Sequence, residues 1–300
     1  MLNIKETESK NEVEVIGILS ELEVKTGTSK NSGKDYVNLT AKVRVDQEIN
    51  GKMTENLIPI KMMAMKLKKD GNPNPAYKRI VDYGEQFVSA AAAEDISKAS
   101  RVRISGCKIK ENPYVRADGS LLEKNFTIDG SFINKARDTD VDKATFEVSG
   151  VVVQLINEVD KDGNDSGRLI VNLVVIGYNG VANVIKMIAE GAAKSHIEQN
   201  WSVGDTVKAS GCINMCANVT IYYEEQGFGA PLEKKKTEFR QELVILGGSS
   251  GGLDEAYSYD ADDVKVALND RTARIEEMKK NSANKGTSSA PAKGKPNFGF

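Results

Sequence analysis

The sequence predicts an all-β chain with small helical insertions, folded as two related domains and followed by a helix and a low-complexity tail. The first observation behind this is an internal repeat. Glu14-Val15-Ile16-Gly17-Ile18-Leu19 returns as Glu147-Val148-Ser149-Gly150-Val151-Val152, and Tyr36-Val37-Asn38-Leu39 returns as Ile170-Val171-Asn172-Leu173. Val102-Arg103-Ile104-Ser105-Gly106-Cys107 returns as Val207-Lys208-Ala209-Ser210-Gly211-Cys212. The order is kept at offsets of 133, 134 and 105 residues, so strands persist while the loops between them change length. A period this long marks a duplicated domain, since solenoid units run about 20–50 residues. The second observation is alternation: Val37, Leu39, Ala41, Val43 and Val45 interleave with Tyr36, Asn38, Thr40, Lys42 and Arg44. That period of two belongs to a strand with one buried face and one wet face.

Taken in order, strands are expected at 12–22, 35–45 and 56–63, the last after a turn at Asn50-Gly51. Asp70-Gly71-Asn72-Pro73-Asn74-Pro75 ends the strand run, and 76–96 reads as helical within an insertion at 66–100. Strands resume at 101–110, with a hairpin over 114–122 across Asp118-Gly119 and a last strand at 126–133. The second copy places strands at 146–157, 169–178 and 181–188, a short helix at 189–200, a strand ending at the second Ser-Gly-Cys, and a closing strand at 239–246. Residues 1–140 and 141–248 are thus the expected domains. Gly247 to Gly252 reads as a flexible linker, and residues 249–300 hold an amphipathic helix at about 262–280 and a disordered tail.

Composition narrows the classes. No apolar run approaches the roughly 20 residues that span a bilayer, and there is no secretory leader, so a cytoplasmic location is expected (the host cytoplasm if the protein is viral). Three cysteines in 300 residues do not make a disulfide scaffold. Residues 1–140 carry 23 basic and 21 acidic side chains and residues 141–250 carry 10 and 14, so global charge says little and local placement has to decide. The segment from Gly27 to Lys34 has the wrong spacing for a phosphate-binding loop and joins two strands. Cys212, Cys216 and the single histidine, His196, fall short of the four ligands of a zinc site. Cys107 and Cys212 occupy equivalent repeat positions and read as small buried hydrophobes. No cofactor and no catalytic set is expected, and the chain reads as a non-enzyme.

Single strands are held without sequence reading by a cationic groove with aromatic faces on which bases stack. The first domain carries such a set. Tyr36, Asn38, Lys42 and Arg44 share the polar face of one strand. Arg101 and Arg103 face outward on another, where a bulge at Gly106 would keep Lys108 and Lys110 on the same side; Tyr114 and Arg116 follow. Lys61, Lys66, Lys68 and Lys69 surround the Asn-Pro-Asn-Pro loop beside Tyr77. The second domain has no such stripe: Ile170, Asn172, Val174 and Ile176 form an apolar face expected to pack against the first domain, another subunit or a partner.

Three strands, a helix, and two strands opening on Gly204-Asp205-Thr206-Val207-Lys208-Ala209-Ser210-Gly211 resemble the OB-fold, a small Greek-key barrel. Two copies with a C-terminal tail resemble the single-stranded DNA-binding proteins of replication, of the bacteriophage type. The resemblance covers residues 12–248 and implies coating of single-stranded DNA in replication or recombination. It also implies partner recruitment through the C-terminal helix and tail, where Phe298 and Phe300 stand in place of a terminal Phe. This tail departs from the pattern in being basic at its tip. RNA as a ligand and a homo-oligomer stay open, and the alternative reading is a structural or adaptor protein, such as a virion component. The helix places Val264, Leu268, Arg271, Ile275 and Met278 on one face, which suits either a coiled-coil seam or docking on its own domain.

Overall fold

The computed structural model describes residues 1–30, 32–116, 120–122, 126–160, 162–226, 228–229 and 231–286. The expected hairpin turn at Asp118-Gly119 and the tail residues Phe298 and Phe300 lie outside them. The first repeat contributes β1 (Asn11–Thr28), β2 (Asp35–Ile49), β3 (Lys52–Met65), α1 (Pro75–Gln86), β4 (Arg101–Glu111), β5 (Tyr114–Val115), β6 (Leu121–Leu122), β7 (Phe126–Asp129) and β8 (Phe132–Lys135). The second contributes β9 (Lys143–Val159), β10 (Asp165–Ile176), β11 (Ala182–Glu190), α2 (Gly191–Asn200), β12 (Thr206–Asn214), β13 (Ala217–Glu224), β14 (Leu232–Phe239) and β15 (Glu242–Gly248), and α3 (Ala261–Gly286) follows. The chain is all-β with small helical insertions, as its alternation predicts.

Each repeat closes on itself. β1, β2, β3, β7 and β4 form one barrel, shut by β4 returning to β1; β9, β10, β11, β15 and β12 form the other, shut by β12 returning to β9. In both, the closure uses one parallel contact, Lys61 with Asp129 and Ile188 with Val244. The repeated glycines have a packing reason. A Cβ on Gly17 would collide with the Arg44 carbonyl oxygen and one on Gly150 with that of Val174, so the first strand of each barrel bends where another backbone comes close.

The barrels are fused edge to edge. β1 pairs antiparallel with β9 from Asn11 opposite Val148 to Ile16 opposite Lys143. At the repeat offset of 133, Val13 and Phe146 are the same position, and they face each other. The ladder is therefore its own image about that pair, an intramolecular version of a twofold, isologous interface. Buried polar side chains reinforce it. Gln47 donates to the Ile213 carbonyl (2.8 Å) and accepts from the Ala144 N–H (2.7 Å), and Asn56 accepts from the Met215 N–H (2.8 Å).

Three expectations are corrected. The helical stretch ends at Gln86 and does not reach residue 96. Phe87 turns into the core, and the alanine run is captured by β1, with Ala90 N–H bonding Leu19 O (2.8 Å) and Ala91 N–H bonding Ser20 O (3.0 Å). Tertiary hydrogen bonds override the alanines' helix propensity. Gly247 and Gly248 belong to β15, and the residues after them are held against β12 and Trp201, whose indole N–H bonds Ser249 O (3.0 Å). The apolar face of β10 meets this chain's own ends: Val174 and Ile176 pack with Ile4, Tyr259, Val264 and Ala267. Helix α3 thus docks on its own repeat. Its Arg271 pairs with Glu111 of β4 (2.6 Å), whose carboxylate also accepts from the Val184 N–H of β11 (3.0 Å). Both charged side chains are only 12% exposed, so this one contact ties the first barrel, the second barrel and the helix together.

Candidate nucleic-acid interface

The outer face of the first barrel follows from strand register. Asn38 sits opposite Met63 and Thr40 opposite Lys61 on β2–β3, while Lys108 sits opposite Asp129 on β4–β7. Directly paired residues leave a sheet on the same side. Asn38, Thr40, Lys61, Met63, Lys108 and Lys110 therefore project outward from a core of Leu39, Ile60, Ile109 and Ile128. They line an open cleft of about 700 Å³ with Gly106, Asp129 and Ser131. Gly106 has φ +66°, the left-handed conformation that glycine permits. The β1–β4 register slips there, which turns Cys107 and Ile109 inward and Lys108 and Lys110 outward.

A second hollow of about 360 Å³ lies farther along β2–β3, lined by Lys34, Lys66, Lys68, Lys69 and Asp35. Tyr36 opposite Met65 sits between the two hollows, its hydroxyl end against Gly27. Most of the cations in this region have carboxylate partners. Lys42 pairs with Glu21 (2.9 Å), Lys66 with Asp35 (3.1 Å), Lys108 with Glu8 (2.6 Å) and Lys110 with Asp129 (2.6 Å), while Arg44 lies 3.8 Å from Asp46. The Thr28 hydroxyl first, and then Lys66, hold the Asp35 carboxyl below its ordinary range. Exposed pairs of this kind are each worth little and exchange readily for another anion. Among the described residues, Lys61, Lys68 and Lys69 meet no carboxylate within ion-pair distance.

Other candidates are placed elsewhere. Arg101 bonds Asp142 and the carbonyls of Arg137 (3.0 Å) and Asp140 (2.6 Å), and Arg103 pairs with Glu14 and Asp140. Both are half-buried at the seam between the barrels, outside the cleft. Tyr77, on α1, packs against the core of the first barrel. Tyr114, 57% exposed on β5, and Arg116 stand on the hairpin beyond β4. Burial pushes the thiols of Cys107 and Cys212 up to about 12 and about 11; Cys107 lies in the first barrel's core, whereas Cys212 is buried on the outer side of the second barrel, under Ile49 with Val244.

The seam also sets an acid sensitivity. Partial burial works to raise the Glu14 carboxyl, but Lys143 and then Arg103 outweigh it and hold it below the ordinary glutamate range. A depressed folded pKa contributes stability above the unfolded value, and that contribution fades as pH falls through the folded value. Glu14→Gln is therefore expected to lower the thermal midpoint at pH 7, with the gap from the parent closing below about pH 4. Melting curves at both pH values check this; a gap that persists in acid would assign Glu14 a role other than its charge.

One element went unread in the sequence. β13 and β14 form a two-stranded ribbon standing off the second barrel, with Tyr222 opposite Lys234 and Ile221 opposite Lys235. Tyr223 is exposed, Phe228 is 92% exposed and Phe239 83% exposed. The signal was present in the β-branched and tyrosine run Val219-Thr220-Ile221-Tyr222-Tyr223 and in the Gly227-Phe228-Gly229 turn. By contrast, the second barrel's counterpart of the lysine cleft is apolar and closed: Ile188 and Val244 stand where Lys61 and Asp129 do, and Ile49 of the β2–β3 hairpin packs on Val244 and Cys212.

Comparison with known proteins agrees with this architecture. The fold is similar to the crystal structure of a deletion variant of the single-stranded DNA binding protein from Thermus aquaticus, with a TM-score of 0.50 and 11% identity over 85% of this chain and 98% of that one. The wild-type protein of the same organism gives 0.49 and 10% over 84% and 98%. No curated protein matches the sequence. Within the described residues no helix is long and apolar enough to cross a membrane. A family profile described as YorF matches residues 10–281, nearly the whole of both barrels and helix α3, and the chain belongs to the YorF family.

Proposed function

We propose that this chain is a non-enzymatic protein that binds single-stranded DNA without reading its sequence, organising exposed strands in replication or recombination, in the manner of bacteriophage binders. The observation that carries the reading is the convergence of Lys61, Lys108 and Lys110 with Asn38, Thr40 and Met63 on one open face of a closed barrel. Lysines neutralise phosphates there, and the second hollow, with Lys66, Lys68 and Lys69, would continue the track past the end of β3. Tyr36 and Tyr114 offer faces for bases, and the ribbon aromatics Tyr222, Tyr223 and Phe228 offer more. The similar Thermus aquaticus protein is a single-stranded DNA binding protein, which supports the same ligand on this fold. Within this reading residues 1–140 carry the grip and residues 141–248 brace it. Arg101 and Arg103 serve the join, and Phe298 and Phe300 serve partner recruitment. The adaptor alternative draws on the near-neutral charge of the chain and on an apolar face of β10, of which Val174 and Ile176 are covered by α3 and the N-terminal residues.

Fluorescence anisotropy with a labelled oligo-dT, the matching duplex and an oligo-U, at low and high salt, tests this. The expected result is binding to oligo-dT that weakens steeply with salt, with each phosphate contact contributing about −0.7 to the log–log slope, and far weaker duplex binding. Absence of oligo-dT binding at low salt would overturn the reading. Equal or tighter oligo-U binding would move it to RNA.

A further inference from the structure

The cleft contains an anion of its own, and this inference rests on the reading of that cleft as a phosphate track. Among the described residues lining it, Asp129 is the single acid. It ends β7, facing Lys108 across an antiparallel pair and Lys61 across the parallel closure of the barrel. Paired residues project to the same side, so both lysines leave the sheet on the side of its carboxylate. Lys110, two residues along β4, donates to Asp129 Oδ2 at 2.6 Å. The Gly130 N–H bonds Lys61 O at 2.8 Å and fixes this corner of the barrel. Asp129 thus holds the Lys110 ammonium on the face that Lys61 and Lys108 share, while the Lys108 ammonium bonds Glu8 (2.6 Å).

We propose that Asp129 is a built-in competitor for the DNA backbone, an affinity-limiting residue that occupies the phosphate seat of the cleft and keeps the grip exchangeable. A phosphate entering between Lys61, Lys108 and Lys110 has to displace the Asp129–Lys110 pair as well as Glu8 from Lys108, and then lie beside the charge of Asp129, which belongs to the cleft lining itself. Both side chains of the pair are largely exposed, 55% for Lys110 and 39% for Asp129, so the exchange needs no opening of the core. Removing the charge while keeping the shape should release Lys110 to the strand.

The test is Asp129→Asn in the full chain, measured by anisotropy with labelled oligo-dT at low salt. Glu94→Gln is the control, since Glu94 pairs with Lys98 on a loop outside the cleft and changes net charge equally. Asp129→Asn is expected to bind about fivefold tighter, the effect of one unit charge at about 4 Å in a watery setting. Its salt slope should steepen by up to about 0.7 as one more contact forms. Lys110→Gln should cost more affinity in the Asp129→Asn background than in the parent, which reads the competition without relying on either variant alone. Unchanged or weaker binding by a folded Asp129→Asn would overturn the proposal, as would equal tightening by Glu94→Gln. A parent chain that fails to bind oligo-dT at all would instead sink the functional reading beneath it.

Discussion

Replacing Lys61, Lys108 and Lys110 together by glutamine is expected to weaken oligo-dT binding about a hundredfold near 0.1 M salt. The magnitude follows from counterion release. Three contacts at about 0.7 each remove about 2 from the log–log salt slope, and that difference opens over the decade between roughly 1 M and 0.1 M. All three lysines are exposed, so the melting temperature should stay within a degree or two of the parent's. Affinity measured across a salt series checks both quantities. A variant with the parent's slope would place the DNA elsewhere, with the second hollow at Lys66, Lys68 and Lys69 the next place to probe. The same variant made on the seam, Arg101→Gln with Arg103→Gln, should behave in the opposite way, losing stability with little loss of slope, because those guanidiniums already hold Asp142, Glu14 and Asp140.

The second large effect is on stability. Glu111→Ala should cost about 3 kcal/mol or more, because it removes a carboxylate that the Arg271 guanidinium and the Val184 N–H share at a site where little solvent reaches. For a chain of this size that is a fall of about 6–10 °C in melting temperature. The loss should be transmitted to α3, whose other anchors include Val264, Ala267, Ile275 and the Arg274 bond to Ala182 O (2.9 Å). Limited proteolysis is the sharper readout. Cleavage between the second barrel and α3 should accelerate in Glu111→Ala, and an unchanged digestion pattern would mean that the apolar contacts alone hold the helix.

The barrels were legible because their information is local. Period-two alternation in β2 and the recurrence of Ser-Gly-Cys at Cys107 and Cys212 depend on neighbours a few residues apart, and the inward turn of Ile109 after Gly106 could be read from the glycine itself. The lysines of β4 were placed on the correct face for the same reason. What escaped depended on contacts distant in sequence. Alternation puts Arg101 and Arg103 outward, but nothing within β4 reveals that at their height the outside is occupied by β9 and the Asp140–Asp142 turn. Tyr77 sits next to lysines in the chain yet packs against the core, because α1 folds back over the barrel. The alanine run at 90–93 has every intrinsic reason to be helical and is claimed instead by the carbonyls of Leu19 and Ser20. The ribbon had a readable signal but no counterpart in the repeat, since among the described residues the first repeat has the short β5–β6 pair at that point.

The antiparallel meeting of Val13 with Phe146 has a consequence for direction. Two surfaces related by such an axis present themselves to a passing strand in opposite senses, so a polymer with distinct 5′ and 3′ ends could not lie straight across both and be held alike by each. Ile49 packs over the second surface with Val244 and Cys212, so under the proposed function the first surface alone would take the strand, in one orientation. Copies loaded side by side on one strand would then all point the same way, and the coated filament would inherit the polarity of the DNA it covers.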